Sequence, residues 1–488
     1  MPTPRIALAG TVAGAPVAEV AEAMAAVRAE LEVPEDFPAG VTAAAQAAAT
    51  GDLVVAAGGR RTDRTMLQLV TVDPPDSRDL DQAFGAERRP GGGIRVWSAI
   101  ADVAAFVAPG DPVDVEAHRR GVTLYGPDRR VPLHPPELSE GAASLLPDGD
   151  RPALLWCIDL DSGGAPATTR LERATVRSRA RLTYAEVADA VSTGTAGEPL
   201  TLLREIGELR LAAEAARGGV SLPLPDQVVA PRADGDLELA FDAPVPSEDW
   251  NAQVSLLAGI EAARIMVEAG IGLLRTLPPA DERDLARLRR SAAALGVAWP
   301  EGTGYPEFVR SLDPASPAGA ALLVQASRLL RGAGYTGFDG ALPAEHRHAA
   351  VAAPYAHVTA PLRRLCDRAT NEVVLALVEG RAVPEWAGTE VGALPAVMAD
   401  AGRRDGAYVR AALDLVEALV LRGAVGGHFP ALVVDVDDDR VQVQLRDPAV
   451  VARARHDGGC RPGDEVDVVV RAADPVARRI DLEVVGGG

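Results

Sequence analysis

The sequence predicts an α+β fold with a small antiparallel, OB-like barrel at its C-terminal end. Three observations predict it. Residues 52–185 alternate strand-like runs with Gly/Pro turns. Residues 184–216 and 248–332 switch to an alanine- and leucine-rich helical period. Residues 429–485 then become a set of short strand-like runs separated by turns. Strands followed by helices, with a separate block of strands, is the pattern of a segregated mixed fold. The 488 residues and 48% hydrophobic content provide ample core, and suggest about three domains at ~150 residues each.

The elements follow in order. Residues 17–31 read as an amphipathic helix that ends before Pro34. Residues 66–72, 94–100, 154–160 and 171–176 are strand-like, and Gly91–Gly93 reads as a hairpin turn between strands. That glycine run is too short and wrongly flanked to cradle a phosphate. A proline-rich extended stretch covers 221–231, with a further strand-like run at 237–241. Helices are expected over 250–269, 279–294, from Pro361 to about residue 379, and over about 394–422. Gly423, Gly426 and Gly427 make a linker into the last block, with strands at 431–436, 440–445, 465–471 and 479–484. No internal repeat is visible.

Composition excludes some functions. No run of apolar residues is long enough for a membrane helix. The first twelve residues carry one basic residue and a short apolar stretch, a poor leader, so a cytoplasmic protein is expected. Cys157, Cys366 and Cys460 are far apart and form no disulfide framework, which suits a reducing compartment. The net charge of −20 argues against coating nucleic acid by bulk electrostatics. It leaves room for a local arginine groove. All 49 basic residues are arginine, a bias that a GC-rich genome explains.

Asp73, Asp76, Asp79 and Asp81 fall within nine residues, Asp73-Pro-Pro-Asp-Ser-Arg-Asp-Leu-Asp81, after a strand-like run. Carboxylates so close repel unless they are solvated, neutralised or metal-bound. Their hard oxygens are what Mg²⁺ and Mn²⁺ prefer, and two such ions can clamp a phosphodiester. The same residues also read as an acidic surface turn, since Pro-Pro and Asp-Ser are turn formers.

Further segments resolve the ambiguity. Ile100-Ala-Asp-Val103, Arg120-Gly-Val-Thr-Leu-Tyr125, Val131–Glu140 and Ser144–Arg151 follow the aspartates in order. Tyr355-Ala-His-Val-Thr-Ala-Pro-Leu-Arg-Arg-Leu-Cys-Asp367 comes later. Together with the aspartate cluster these resemble the RNB catalytic domain of ribonuclease II-type exoribonucleases. Ordered matches over about 300 residues are far more specific than any one motif. The resemblance implies hydrolysis of single-stranded RNA from its 3′ end to nucleoside 5′-monophosphates, in an α+β domain with a deep channel. It implies a domain plan of an N-terminal helical segment over 1–55, an RNB domain over 56–425, and an RNA-binding barrel over 426–488. Longer family members carry two cold-shock-type domains ahead of the catalytic domain; the stretch before Asp73 is too short for even one.

The resemblance also implies roles. Asp73, Asp79 and Asp81 match acidic positions that would hold Mg²⁺, or Mn²⁺, with Asp81 needed for cleavage; Asp76 falls where the family varies and is a turn residue. The family usually has a second acid after Asp81; here it is Gln82, whose carbonyl would be a neutral ligand, so weaker or altered metal binding is expected. Arg363 matches the arginine on the scissile phosphate, where a planar fork stabilises developing charge. Arg364 is a further RNA contact, and Asp367 orients one of the two arginines. Tyr125 and Tyr184 are the candidates for base stacking. His346, His348, His357 and Cys366 fit no structural zinc spacing, and His357 is expected to pack or hydrogen-bond. In the last block Arg440, Arg446, Arg453 and Arg455 are set against Asp435, Asp437, Asp438 and Asp439, so that barrel is expected to be a weak RNA platform. A monomer is expected. Two other readings stay open: a catalytically weak RNA-binding protein on the same scaffold, and a metal phosphoesterase for small substrates.

Overall fold

The computed structural model describes residues 15–51, 61–231, 237–242, 244–437 and 440–487. The leader reading of residues 1–12, the boundary at 55/56, and Asp438 and Asp439 lie outside them.

Helix α1 (Ala15–Glu30) buries Val20, Met24 and Val27, a helical i, i+4, i+7 stripe. Helix α2 (Ala39–Thr50) buries Val41 and Ala45. A sheet follows, built from β1 (Thr62–Asp63), β2 (Leu69–Val72), β3 (Gln82–Arg88), β4 (Ile94–Ala101), and, further along, β7 (Asp150–Leu160) and β8 (Pro166–Leu182). Between β4 and β7 lie helix α3 (Pro112–Arg120) and a small hairpin, β5 (Leu124–Tyr125) with β6 (Arg130–Val131). The strand order is β1-β8-β2-β3-β4-β7. The long β8 pairs in parallel with β2 near its end and antiparallel with β7 along most of its length, so the sheet curls back on itself. The β3–β4 turn uses Gly91 and Gly92 at φ of 93° and 92°, values that favour glycine. The hairpin expected there is present.

Helices α4 (Tyr184–Ser192), α5 (Glu198–Arg217), α6 (Pro246–Ala269) and α10 (Leu365–Val378) cover the sheet. Trp156, Phe84, Leu203, Ile206, Leu257 and Val373 are fully buried between them. A hairpin of β9 (Asp226–Pro231) and β10 (Leu237–Asp242) precedes α6. Helices α7 (Glu282–Ala294), α8 (Tyr305–Arg310) and α9 (Pro317–Ser327) form a satellite with its own core around Leu288, Phe308 and Leu322. The 38-residue α11 (Glu385–Arg422) leads to the barrel: β13 (His428–Val436), β14 (Arg440–Leu445), β15 (Val451–Arg455), β16 (Glu465–Asp474) and β17 (Arg479–Gly487). These close in the order β13-β14-β15-β17-β16.

Four differences from expectation have physical reasons. The span read as helical over 248–332 contains β11 (Ile271–Thr276), which pairs with β12 (Gly334–Asp339); Gly270, at φ 79°, ends α6 and turns the chain. Helix α10 begins at Leu365 and not just after Pro361, because the intervening backbone is committed to the site described below. Helix α11 starts earlier than expected, at Glu385, and accommodates Pro395 in its interior. The glycine linker is no free hinge: Gly426 N–H donates to the Val470 carbonyl, and Val470 N–H donates to that of Gly427. The N-terminal helices, whose placement the sequence leaves open, pack on the rest of the chain. Their residues Val20, Met24 and Val27 share one cluster with α11 and the barrel, and Val41 and Ala45 join another with the sheet.

Candidate active site

The aspartate loop runs from the end of β2 to the start of β3. Asp73 N–H donates to the Leu182 carbonyl at 3.0 Å, which pins the loop where β2 meets β8. Asp76 lies in an exposed turn closed by Ser77 N–H on the Pro74 carbonyl. The far end is clamped by Ser144. Its hydroxyl donates to the Arg78 carbonyl at 2.6 Å and accepts from Leu80 N–H at 3.0 Å, while Leu145 N–H donates to the Leu80 carbonyl. The Ser144–Arg151 segment thus holds the aspartates in place.

The segment over 360–367 supplies the second wall. Leu362 N–H donates to Asp81 Oδ1 at 2.7 Å, and Arg363 Nε donates to Asp81 Oδ2 at 2.6 Å. Asp367, fully buried, accepts from Ala360 N–H at 2.7 Å and from both Arg364 Nε and Nη2. It does orient an arginine, and that arginine is Arg364. Arg364 gives Nε and Nη2 to Asp367 and so helps shape the loop.

The β5–β6 hairpin supplies the third wall. Thr123 N–H donates to the Arg363 carbonyl and Leu365 N–H to that of Gly121, so the strand leading to Tyr125 runs antiparallel to Arg363–Leu365. Gly121 sits at φ 74°, and a Cβ there would fall 2.4 Å from that of Ala401. Tyr125 and Arg130 are opposite in register and share a face. Both reach Asp79: Tyr125 Oη donates to Oδ2 at 3.3 Å and Arg130 Nη1 to Oδ1 at 2.5 Å. Arg130 Nη2 continues to Glu140 at 3.0 Å.

Exposure sorts these groups. Asp81 is 2% exposed, Tyr125 37%, and the Arg363 side chain 45%. Beside the buried Asp81, the tyrosine ring and the arginine fork are open to solvent. Burial pushes the Asp81 carboxyl up to about 7, against the pull of Arg363, and the nearby Asp79 charge adds to the rise. Burial opposes charge on Arg363, but Asp81, Tyr125 and Asp79 outweigh it and hold that guanidinium well above its ordinary value. Burial likewise raises the Tyr125 phenol, keeping it a neutral donor.

Two expected members have neighbours outside these three walls. Gln82 opens β3 with both ends of its amide engaged: its Nε2 donates to Ser98 at 2.9 Å and its Oε1 accepts from Ser255 of α6 at 2.6 Å. These two bonds make Gln82 a tie between strand and helix. Tyr184 opens α4 and packs half-buried against the main core. Sequence reasoning missed Arg130, Glu140, Ser98 and Ser255. A hairpin reading of Tyr125-Gly-Pro-Asp-Arg-Arg130 would have put Arg130 opposite Tyr125; nothing local signals Ser255.

The donor set bears on a divalent ion. Among the described residues, the one set of three His, Cys, Asp or Glu ligand atoms within 4.8 Å of one another is His357, Cys366 and Asp367, not the aspartates. There His357 Nδ1 is hydrogen-bonded to Tyr335 Oη at 2.8 Å and Asp367 is committed to Arg364, so the group knits the loop together. Asp79 and Asp81 offer carboxylate oxygens of the hard type that a divalent cation takes, and the Asp79 charge disfavours ionisation of Asp81 beside it.

The RNB domain family model matches residues 61–380, which include every site residue above, and the model of the RNase II-type exonuclease C-terminal S1 domain matches residues 427–485. The chain belongs to the RNB-domain family. An uncharacterized ribonuclease of Synechocystis is 26% identical over 452 residues, covering 91% of this chain and 62% of the relative. Ribonuclease R of Escherichia coli is 28% identical over 411 residues, covering 79% of this chain and 50% of the relative. This RNB chain therefore spans about half to three-fifths of the length of these curated relatives. Mycoplasma genitalium RNase R in complex with ribose-methylated single-stranded RNA has the same fold, with a TM-score of 0.84 over 96% of this chain and 78% of that one, at 18% identity.

Proposed function

We propose that this RNB protein is an exoribonuclease that takes the 3′ end of single-stranded RNA into the recess lined by Tyr125, Arg130 and Arg363, and releases nucleoside 5′-monophosphates. The observation that supports this best is the pairing of Arg363 with Asp81 across 282 residues of sequence, beside an accessible Tyr125. The tyrosine offers a stacking face that tolerates any base. The Arg363 fork gives Nε to Asp81, and its outer edge suits phosphate oxygens. When an RNA phosphate competes for the fork, Asp81 is released beside the scissile bond. Asp79 and Asp81, with Asp73 on the same loop, are the residues that would hold Mg²⁺ or Mn²⁺; such an ion supplies an activated water and charge neutralisation. Arg130 then keeps Asp79 in place, and Leu362 N–H keeps Asp81 in place.

A second reading, a catalytically weak RNA-binding protein, is favoured by Gln82, which is held by Ser98 and Ser255 where an acid is usual in the family. Among the described residues no helix is long and apolar enough to cross a membrane, and Cys157, Cys366 and Cys460 are free thiols; the proposed setting is the cytoplasm. Product analysis separates the readings. Oligoribonucleotides with a free or a 3′-phosphorylated end should yield 5′-monophosphates from the free end alone. Binding without products supports the weak reading, and hydrolysis of small phosphodiesters alone overturns both.

A further inference from the structure

The hairpin that carries Tyr125 and Arg130 does not support itself. Two two-residue strands make an isolated hairpin that is marginal at best. What holds it comes from the other end of the chain. Arg28, 3% exposed in the last turn of α1, donates through Nε to Glu35 at 2.7 Å, and through Nη1 to Asp128 at 3.0 Å and to the Tyr408 hydroxyl of α11 at 3.2 Å. Glu35 also accepts from Arg129. Asp128 and Arg129 form the hairpin tip. Gly126 there is so close to Tyr408 that a Cβ would lie 2.4 Å from the hydroxyl. At the base of the hairpin, Arg120 Nη2 donates to the Asp36 carbonyl at 2.8 Å, and its guanidinium sits 3.7 Å from the Phe37 ring centroid. Leu124 and Val131, the inward residues of the hairpin, are buried in one cluster with Val20, Met24, Val27 and Val33. Tyr125 and Arg130 alternate with them and face Asp79.

We propose that residues 28–37 are a brace that sets the Tyr125–Arg130 edge of the recess, and that Arg28 is its positioning residue, controlling the grip on the 3′-terminal nucleotides of RNA. The nature of that ligand rests on the function proposed above; the brace itself does not. A buried cation answered by two carboxylates and a hydroxyl fixes geometry tightly, because removing it leaves the buried Asp128 without its partner. Asp128 must then turn towards water and take the hairpin tip with it. A site displaced by about 1 Å loses much of its grip.

Two measurements on the full chain test this. The first is amide hydrogen exchange of Arg28→Gln and of the milder Glu35→Gln, whose site is partly exposed and leaves folding intact. Exchange should rise over residues 122–131 while the barrel strand over 440–445 stays protected. A uniform rise, or none, overturns the brace. The second is binding of a fluorescent single-stranded oligoribonucleotide in EDTA, with and without Tyr125→Ala. Arg28→Gln should weaken binding about tenfold in the native background and less than about twofold once Tyr125 is gone, the non-additivity of coupled neighbours. Arg28→Lys should restore part of the loss. Equal losses in both backgrounds mean a merely structural arginine and overturn the proposal. If the native chain binds no RNA, the functional reading falls, and the brace is decided by the exchange result alone.

Discussion

Asp81 and Arg363 are each costly where they sit, and each makes the other tolerable. An uncompensated buried carboxylate favours its proton, and the carboxyl at about 7 reflects that pressure. Asp81→Asn keeps the shape and the Leu362 bond but loses the charge; cleavage of labelled RNA should disappear while RNA affinity changes less than about threefold, read by anisotropy. Arg363→Ala should lower kcat more than it raises KM, since the fork acts on developing charge; an unchanged rate would make it a surface arginine. Gln82→Asp should give activity equal to or above the native level at low Mg²⁺. A fall would mean that the amide between Ser98 and Ser255 is specifically required. At this scale the motifs revealed Asp79, Asp81, Arg363 and Tyr125 as neighbours, because ordered segments carry information that no local pattern holds. They could not reveal the surroundings of Gln82. Its partners lie 16 and 173 residues away.

At the scale of elements, strand and helix positions were mostly legible, since their periods are local. The pairings that build the site were not: β5 beside 363–365, Ser144 on the aspartate loop, and α1 behind the hairpin. One such tie has a pH signature. His118 of α3 is hydrogen-bonded to Asp114 and, through Nε2 at 2.9 Å, to Glu390 of α11. Those partners hold its imidazole up at about 10. A raised folded-state pKa means that the contribution is full below the unfolded value of 6.5 and is lost as pH rises through about 10. The melting temperature of the native chain should therefore fall between pH 6.5 and 10 more steeply than that of His118→Gln. Parallel curves would mean that the bridge contributes nothing.

Across the whole molecule, buried charge pairs join parts remote in sequence. Asp102, in the Ile100–Val103 motif, accepts from Arg173 of β8 at 2.5 Å and from Arg61 at 2.7 Å, and Arg173 also donates to Glu372 of α10. The motif residue Asp102 thus ties sheet to helix, a role its sequence context could not distinguish from chemistry. Arg173→Met leaves two buried acids without their shared cation and should cost roughly 3–5 kcal/mol, seen as a lower urea midpoint. Arg287 and Arg328, both partly exposed, reach the buried Asp435 of the barrel from the satellite helices. Of the barrel arginines named in the sequence, Arg446 lies by Glu465, Arg453 by Asp437 and Arg455 by Asp481.

The most direct test of the central claim is a time course on 5′-labelled single-stranded RNA with Mg²⁺, Mn²⁺ or EDTA, beside Asp81→Asn. The proposed function predicts a metal-dependent ladder shortening from the 3′ end, absent in EDTA and in the variant. RNA that is bound but stays intact under every metal would contradict it, and would point first to Gln82.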